Sequence, residues 1–259
     1  MTEKPIAIVT GVGPGTGAAI VKRFSAGGFR IIALARSAEL INRLAQELPD
    51  VHAMTCDVSD ESQVRIVVTE VKRRFGAAEV LIHNAVGGGW GNFREIDPKM
   101  LKGNFEVNVM GLLYLARELA PDMIDRGKGA ILVTGNTSSI RGKANFAGFA
   151  PTKAAQRILA ESIAREMGPL GVHVSYVLID AVIDTPRMRA RMSDKPDEFF
   201  IKPAAIANEL LHLYGQDRSA WSFLTELRPF NGKLVMLEHG HGALGHFGEL
   251  PVGLERSET

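Results

Sequence analysis

Residues Thr10 to Gly17 read Thr-Gly-Val-Gly-Pro-Gly-Thr-Gly and follow directly on the apolar run Ile6-Ala7-Ile8-Val9. Glycines let a backbone bend sharply and come close to an anion. The free N–H groups of a helix's first turn then point at that anion, helped by the helix dipole. A strand leaving through such a turn into a helix makes a cradle for a phosphate group, although a tight packing turn has the same composition. Histidines 239, 241 and 246 are spaced by glycines near the C-terminal end. Imidazoles can bind metal, but only with convergent geometry and supporting hydrogen bonds, which a glycine-rich tail does not supply, so no metal site is expected. The single cysteine, Cys56, stands beside Asp57. An acidic neighbour disfavours a thiolate, so Cys56 reads as a small core residue.

The elements that would position these residues follow from hydrophobic periodicity. Short apolar, β-branched runs at 6–10, 30–35, 52–56, 80–84, 130–134 and 173–179 read as strands. Several are apolar at nearly every position, as strands covered on both faces are. Helical patterns lie between them at 17–26, 38–48, 61–75, 100–126 and 152–167, and a later one at 202–214. The stretch 38–48 carries Leu40, Ile41, Leu44 and Leu48 at helical spacing, Gly76 stops the third helix, and Gly168-Pro169 breaks the fifth. Residues 187–194 are basic and Met-rich and read as a mobile helix over a pocket, and 221–227 as a final strand. The alternation predicts an α/β fold: a doubly wound parallel sheet, the Rossmann arrangement, in three α/β/α layers. One domain over 1–229 and an extended or partly ordered tail over 230–259 are expected.

Composition narrows the function classes. With 46% hydrophobic residues over 259 positions the chain can bury a sizeable core. Its 30 basic side chains are balanced by 29 acidic ones, which argues against a general nucleic-acid binder. The N-terminus runs straight into the first strand without a secretory pattern, and no apolar run approaches membrane-spanning length. One cysteine fits a reducing compartment, so a cytoplasmic protein with no membrane partner is expected.

Six features follow the glycine loop in order along the chain. Thr10-Gly11, Gly15 and Gly17 match a Thr-Gly-x-x-x-Gly-x-Gly loop. Cys56-Asp57-Val58 closes the third strand and Asn84-Ala85 the fourth. Asn108 lies in a long helix, Ser138-Ser139-Ile140-Arg141-Gly142 follows the fifth strand, Lys153 opens the next helix, and Thr185 follows the sixth strand. Over roughly residues 4 to 185 the chain resembles the short-chain dehydrogenase/reductase family. The resemblance implies a nicotinamide dinucleotide cofactor. Gly11, Gly15, Thr16 and Gly17 would cradle it, Asp57 and Val58 would meet the adenine, Asn84 would lie along it, and Thr185 would reach the nicotinamide end. Asp57 as a helix cap is compatible with that role. Ser139, Lys153 and Asn108 correspond to the family's catalytic set, Lys153 also holding the nicotinamide ribose.

Cofactor choice rests on the end of the second strand. NAD sites carry an acidic residue there for the ribose 2′-hydroxyl, whereas this chain has Ala35-Arg36-Ser37. A guanidinium can fork onto a 2′-phosphate and a hydroxyl can add a bond. NADP is therefore favoured and NAD remains possible, with Arg36 as an ordinary solvated charge the alternative.

The departure is at residue 149. The family's signature is Tyr-x-x-x-Lys; the segment here is Phe149-Ala150-Pro151-Thr152-Lys153. A phenyl ring cannot exchange a proton, so the usual acid/base is missing. Candidate replacements are Lys153 through water, Ser139 as a polarising hydroxyl, and Asp180, which stands where the family has Pro-Gly, if burial raises its pKa; a loop hydrogen bond is the ordinary reading of Asp180. His83 and Val86 also replace family residues, His83 reading as a packed strand-end histidine. Arg141 could meet an acidic substrate or be solvated.

Three functions compete. The first is an NADP-dependent oxidoreductase acting on a small alcohol or carbonyl compound with a non-standard proton donor. The second is a non-catalytic NADP(H)-binding sensor or scaffold, and the third a lyase or isomerase. Substrate specificity would sit in 87–97, 140–148 and 186–202, where Trp90, Phe93, Phe146 and Met188 suggest an apolar pocket. By family analogy a homodimer or homotetramer would form through the helices 100–126 and 152–167.

Overall fold

Every inner strand is apolar on both sides, and the structure shows why. The computed structural model describes residues 4–231. In chain order it contains β1 (Ile6–Thr10), α1 (Thr16–Ala26), β2 (Arg30–Ala35), α2 (Ala38–Glu47), β3 (Val51–Thr55), α3 (Glu61–Phe75), β4 (Val80–His83), α4 (Pro98–Phe105) and α5 (Gly111–Asp125). Then come β5 (Gly129–Asn136), α6 (Ala150–Met167), β6 (Val172–Ile179), β7 (Val182–Ile183), α7 (Pro186–Arg191), β8 (Phe200–Ile201), α8 (Pro203–Tyr214) and β9 (Leu224–Leu227). The main sheet has seven parallel strands in the order β3-β2-β1-β4-β5-β6-β9. Side chains alternate across it with period two. Ile6, Ile8, Leu81, Ile131 and Val133 point into a core completed by α3, α5 and α6. Ala7, Val9, Ile82, Ala130 and Leu132 point into a second core completed by α1, α2 and α8. This is the expected doubly wound, three-layer α/β/α Rossmann fold.

The strand order reverses between β1 and β4, whose register sets Thr10 beside His83. Crossovers on the two sides of that point leave to opposite faces, which opens a crevice at the carboxyl ends of the strands. The loops after β1, β4, β5 and β6 all end there.

Three elements differ from the sequence reading. The strand predicted at 130–134 runs on to Asn136. A side chain at Gly135 would collide with the Tyr176 ring, 2.1 Å from an ideal Cβ, so the absent side chain lets β5 continue flat against β6. The helix predicted at 100–126 is α4 and α5 joined by a wide π-type turn at Glu106–Met110. The helix at 187–194 shortens to α7 and is tied down. The Asp184 carboxylate accepts two bonds from the Arg189 guanidinium, at 2.7 and 2.9 Å, and one from Lys202 Nζ at 3.0 Å. The two-residue strands β7 and β8 pair beside it, too short to carry a sequence signal. The tail expectation and His239, His241 and His246 lie outside the described residues.

Among the described residues no helix is long and apolar enough to cross a membrane, and no group of three His, Cys, Asp or Glu side chains could hold a metal ion.

Candidate functional site

The glycine loop is shaped by close approach. Gly11 has φ +65°, a left-handed conformation, and a side chain there would lie 2.4 Å from the Ala85 Cα. A Cβ at Gly17 would fall 2.6 Å from the Gly11 carbonyl oxygen, and one at Gly15 would fall 2.8 Å from Thr185 Cγ2. The last contact brings the β6 loop over the β1 loop. At the start of α1 no side chain caps the helix and no acidic residue lies in the first turn. Thr16 Oγ1 is buried there without a hydrogen-bond partner. An uncapped helix start with an orphaned hydroxyl is the arrangement that an anionic group would complete.

Arg36 and Ser37 stand exposed after β2. Ser37 is the N-cap residue of α2 by position, yet its hydroxyl makes no capping bond. Asp57 follows β3; its Oδ1 accepts bonds from the Ser59 N–H and hydroxyl, at 3.0 and 2.7 Å. The cap of α3 is Asp60 rather than Asp57: its carboxylate accepts from the N–H groups of Ser62 and Gln63. Asp followed three residues later by Gln is the sequence signal of such a start. Val58 turns its side chain into the core against Gly111, which leaves only its main chain for a ligand. Cys56 is buried, and burial with the neighbouring Asp57 pushes its thiol up to about 11.

Asn84 braces the crevice. Its amide donates to the Gly11 carbonyl at 2.9 Å and accepts from the Thr134 hydroxyl at 3.1 Å. His83 is buried with Nδ1 3.3 Å from Thr10 Oγ1, and burial together with the charge of Lys153 holds it down to about 3. It is a neutral packed histidine at physiological pH.

The predicted catalytic set is drawn together but turned inward. Asn108 is fully buried. Its side chain accepts from the Gly87 N–H at 3.0 Å and donates to the Gly87 carbonyl at 3.1 Å and to Thr152 Oγ1 at 2.8 Å. Asn104 repeats the pattern: it accepts from the Gly89 N–H at 3.1 Å and donates to the Gly89 and Gly148 carbonyls at 2.9 and 2.7 Å. Lys153 is only 2% exposed, and burial lowers its pKa to about 7. Its ammonium donates to the Thr134 carbonyl at 3.1 Å and to Gln156 Oε1, while Gln156 Nε2 donates to the Asn108 carbonyl at 2.7 Å. Ser139 donates to the Asn136 carbonyl at 2.7 Å. The sequence reading missed Asn104 and Gln156, whose roles depend on partners far away in the chain.

Phe149 is 2% exposed at the start of α6. Its ring lies 4.5 Å from that of Trp90, which meets Phe146 edge-on at 4.3 Å. The residue at the expected tyrosine position is thus the floor of an aromatic cluster. Asp180, at the end of β6, is half-buried. Burial and then Glu226 raise its carboxyl above the usual range, against the opposing charges of Arg228, Arg141 and Lys143.

The comparisons with known proteins agree on the architecture. A family model described as short chain dehydrogenase matches residues 5–196. The chain is 30% identical over 189 residues to L-xylulose reductase of Cavia porcellus, covering 73% of this chain and 75% of that protein. It is similar in structure to a metagenomic short-chain oxidoreductase in complex with NADP, at 26% identity and TM-score 0.77, over 88% of this chain and 97% of that one. It is also similar to an alcohol dehydrogenase from the archaeon Thermococcus sibiricus complexed with 5-hydroxy-NADP, at 26% identity and TM-score 0.78, over 90% and 99%.

Proposed function

The chain belongs to the short-chain dehydrogenase family, and from that premise we propose that it is an NADP-dependent oxidoreductase acting on an alcohol or carbonyl compound with a non-standard proton donor. The carrying observation is the uncapped start of α1 with the orphaned Thr16 hydroxyl under Thr185, because a dinucleotide pyrophosphate satisfies those groups. NADP(H), when bound, supplies or accepts the hydride. The main chain of Gly11, Gly15, Thr16 and Gly17 holds its phosphates. Asp57 and the Val58 main chain meet the adenine, and Thr185 closes over the nicotinamide end. Arg36 and Ser37 take the 2′-phosphate, a reading favoured by their exposure and by the absence of an acidic residue after β2. The two neighbours described with NADP or its derivative support the same choice.

On the reaction side, Ser139 polarises the substrate oxygen and Lys153 holds the nicotinamide ribose. Asn84 and Asn108 keep the loops around them in register. Phe149 cannot move a proton. The proton donor is non-standard, and Lys153 through water, Ser139 and Asp180 are the groups available for the task. The second reading, a non-catalytic NADP(H) sensor or scaffold, is favoured by one observation: Phe149 is buried under Trp90 rather than open to a substrate.

Calorimetric titration with NADPH and NADH tests the cofactor. Arg36→Ala is expected to weaken NADPH by ~10–100-fold, the worth of a charge-assisted bond, and to leave NADH unchanged. No binding of either nucleotide would sink the oxidoreductase reading. NADPH oxidation over a carbonyl panel separates the two readings. Cofactor-dependent turnover of any carbonyl in the panel supports the enzyme. Tight NADPH binding without turnover, unchanged in Phe149→Tyr, supports the sensor.

A further inference from the structure

A cavity of about 990 Å³ opens beside Ser139, between the 92–94 segment, the loop from Ser138 to Ala147 and the first turns of α6. Among the described residues its charged lining is one-sided: Arg94, Arg141, Lys143 and Arg157 face it and no Asp or Glu does. The chain as a whole is nearly neutral, with 30 basic and 29 acidic residues, so this excess is local. Phe93, Ile140, Phe146 and Pro151 supply the apolar part of the wall. The enclosure is stitched by main-chain bonds: the Gly91 N–H donates to the Asn145 carbonyl at 3.0 Å and the Ala147 N–H to the Gly91 carbonyl at 3.1 Å.

The cations are not equivalent. Arg157 is partly neutralised by Glu161 at 3.4 Å and also donates to the Ser139 carbonyl. Arg141 makes no ion pair among the described residues, and its Nε is buried without a hydrogen-bond partner. Asp180, whose carboxyl feels the Arg141 charge, does not line the cavity, and Glu226 is held by Arg228 at 3.2 Å. A buried guanidinium nitrogen without an acceptor is costly unless a ligand supplies one. Its planar fork matches the two oxygens of a carboxylate or phosphate.

We infer that the substrate is an apolar carbonyl or alcohol compound bearing an anionic group, carboxylate or phosphate, and that Arg141 receives the anion beside Ser139. This inference rests on the oxidoreductase reading for the identity of the reacting group and on the cavity alone for the anion.

The test is calorimetric binding of phenylglyoxylate, its uncharged methyl ester and phenyl phosphate to the protein with and without saturating NADP. The acid is expected to bind at least ~10-fold more tightly than the ester, the worth of a charge-assisted bond. Arg141→Gln abolishes that preference and Arg141→Lys keeps part of it. Phenyl phosphate binding above or below the acid distinguishes a phosphate from a carboxylate substrate. Equal binding of acid and ester, binding of neither, or a preference surviving Arg141→Gln overturns the inference. The NADP titration in the same experiment reads the cofactor separately. A silent NADP titration with the Arg141-dependent preference intact would remove the oxidoreductase reading and keep the anion site.

Discussion

The two halves of the crevice are built in opposite ways. Around the ends of β1 and β2, polar groups are left without protein partners: the Thr16 hydroxyl is orphaned, the α1 start is uncapped, and Ser37 makes no capping bond. Around the ends of β4 and β5, Asn84, Asn104, Asn108, Lys153 and Gln156 are bonded to protein on nearly every side. The first half leaves polar groups unpartnered; in the second these five side chains are satisfied by protein, with His83 Nε2 at the end of β4 the exception. The contrast teaches that the residues a family signature marks need not share one physical job. In this chain the glycine loop leaves its helix start uncapped, whereas Asn108 and Lys153 are hydrogen-bonded to the main chain around them.

The largest expected effect comes from filling the open half. Gly11→Val forces a side chain into the Ala85 backbone from a left-handed conformation. It should cost on the order of 3 kcal/mol of fold stability and at least ~100-fold in NADPH affinity, read by urea unfolding and nicotinamide fluorescence. Undiminished affinity would mean the loop is not the cradle.

Next comes the knitted half. Asn108→Ala strands the Gly87 main-chain groups, at about 2–4 kcal/mol, while the Thr152 hydroxyl keeps its bond to the Phe149 carbonyl. Asn104→Ala should cost a similar amount through Gly89 and Gly148. If the halves are as separate as they look, both variants lose stability while NADPH affinity measured well below their melting temperature changes less than about threefold, under 1 kcal/mol. A large loss of affinity would erase the distinction.

The smallest effect is one of pH. Lys153 has a folded pKa of about 7, below its ordinary value near 10.5. Between those values the unfolded chain binds the extra proton and the folded one does not. Stability from this group therefore rises with pH from about 7 toward 10.5 and is lost as pH falls to 7. Urea unfolding at pH 7 and pH 9 should give a steeper gain for wild type than for Lys153→Met, by up to about 1 kcal/mol per pH unit. Parallel lines would show that Lys153 is solvated rather than buried.

Local patterns were legible in the sequence and non-local pairings were not. The glycine loop, the two-sided apolar strands and the six ordered motifs are properties of short segments, and the fold follows from them. The Asp60 cap was also readable from Gln63 three residues on, although Asp57 draws the eye by its motif. Gln156 is different. Nothing in its neighbourhood says that its amide bridges Lys153 to a carbonyl 48 residues away. Phe149 was visible as a missing hydroxyl, but its burial under Trp90 depends on a loop that packs back from β4. The length of β5 required knowing that the Tyr176 ring on the adjacent strand covers Gly135.

The Asn104 and Asn108 pair carries one more consequence. Asn104 and Asn108 stand four residues apart and the glycines they hold two apart: the amide at 104 meets Gly89 and the amide at 108 meets Gly87, as matched gradations on two rulers. A single-residue insertion or deletion in either strip would put both marks out of step at once. These two stretches should tolerate changes of side chain far better than changes of length, unlike ordinary surface loops.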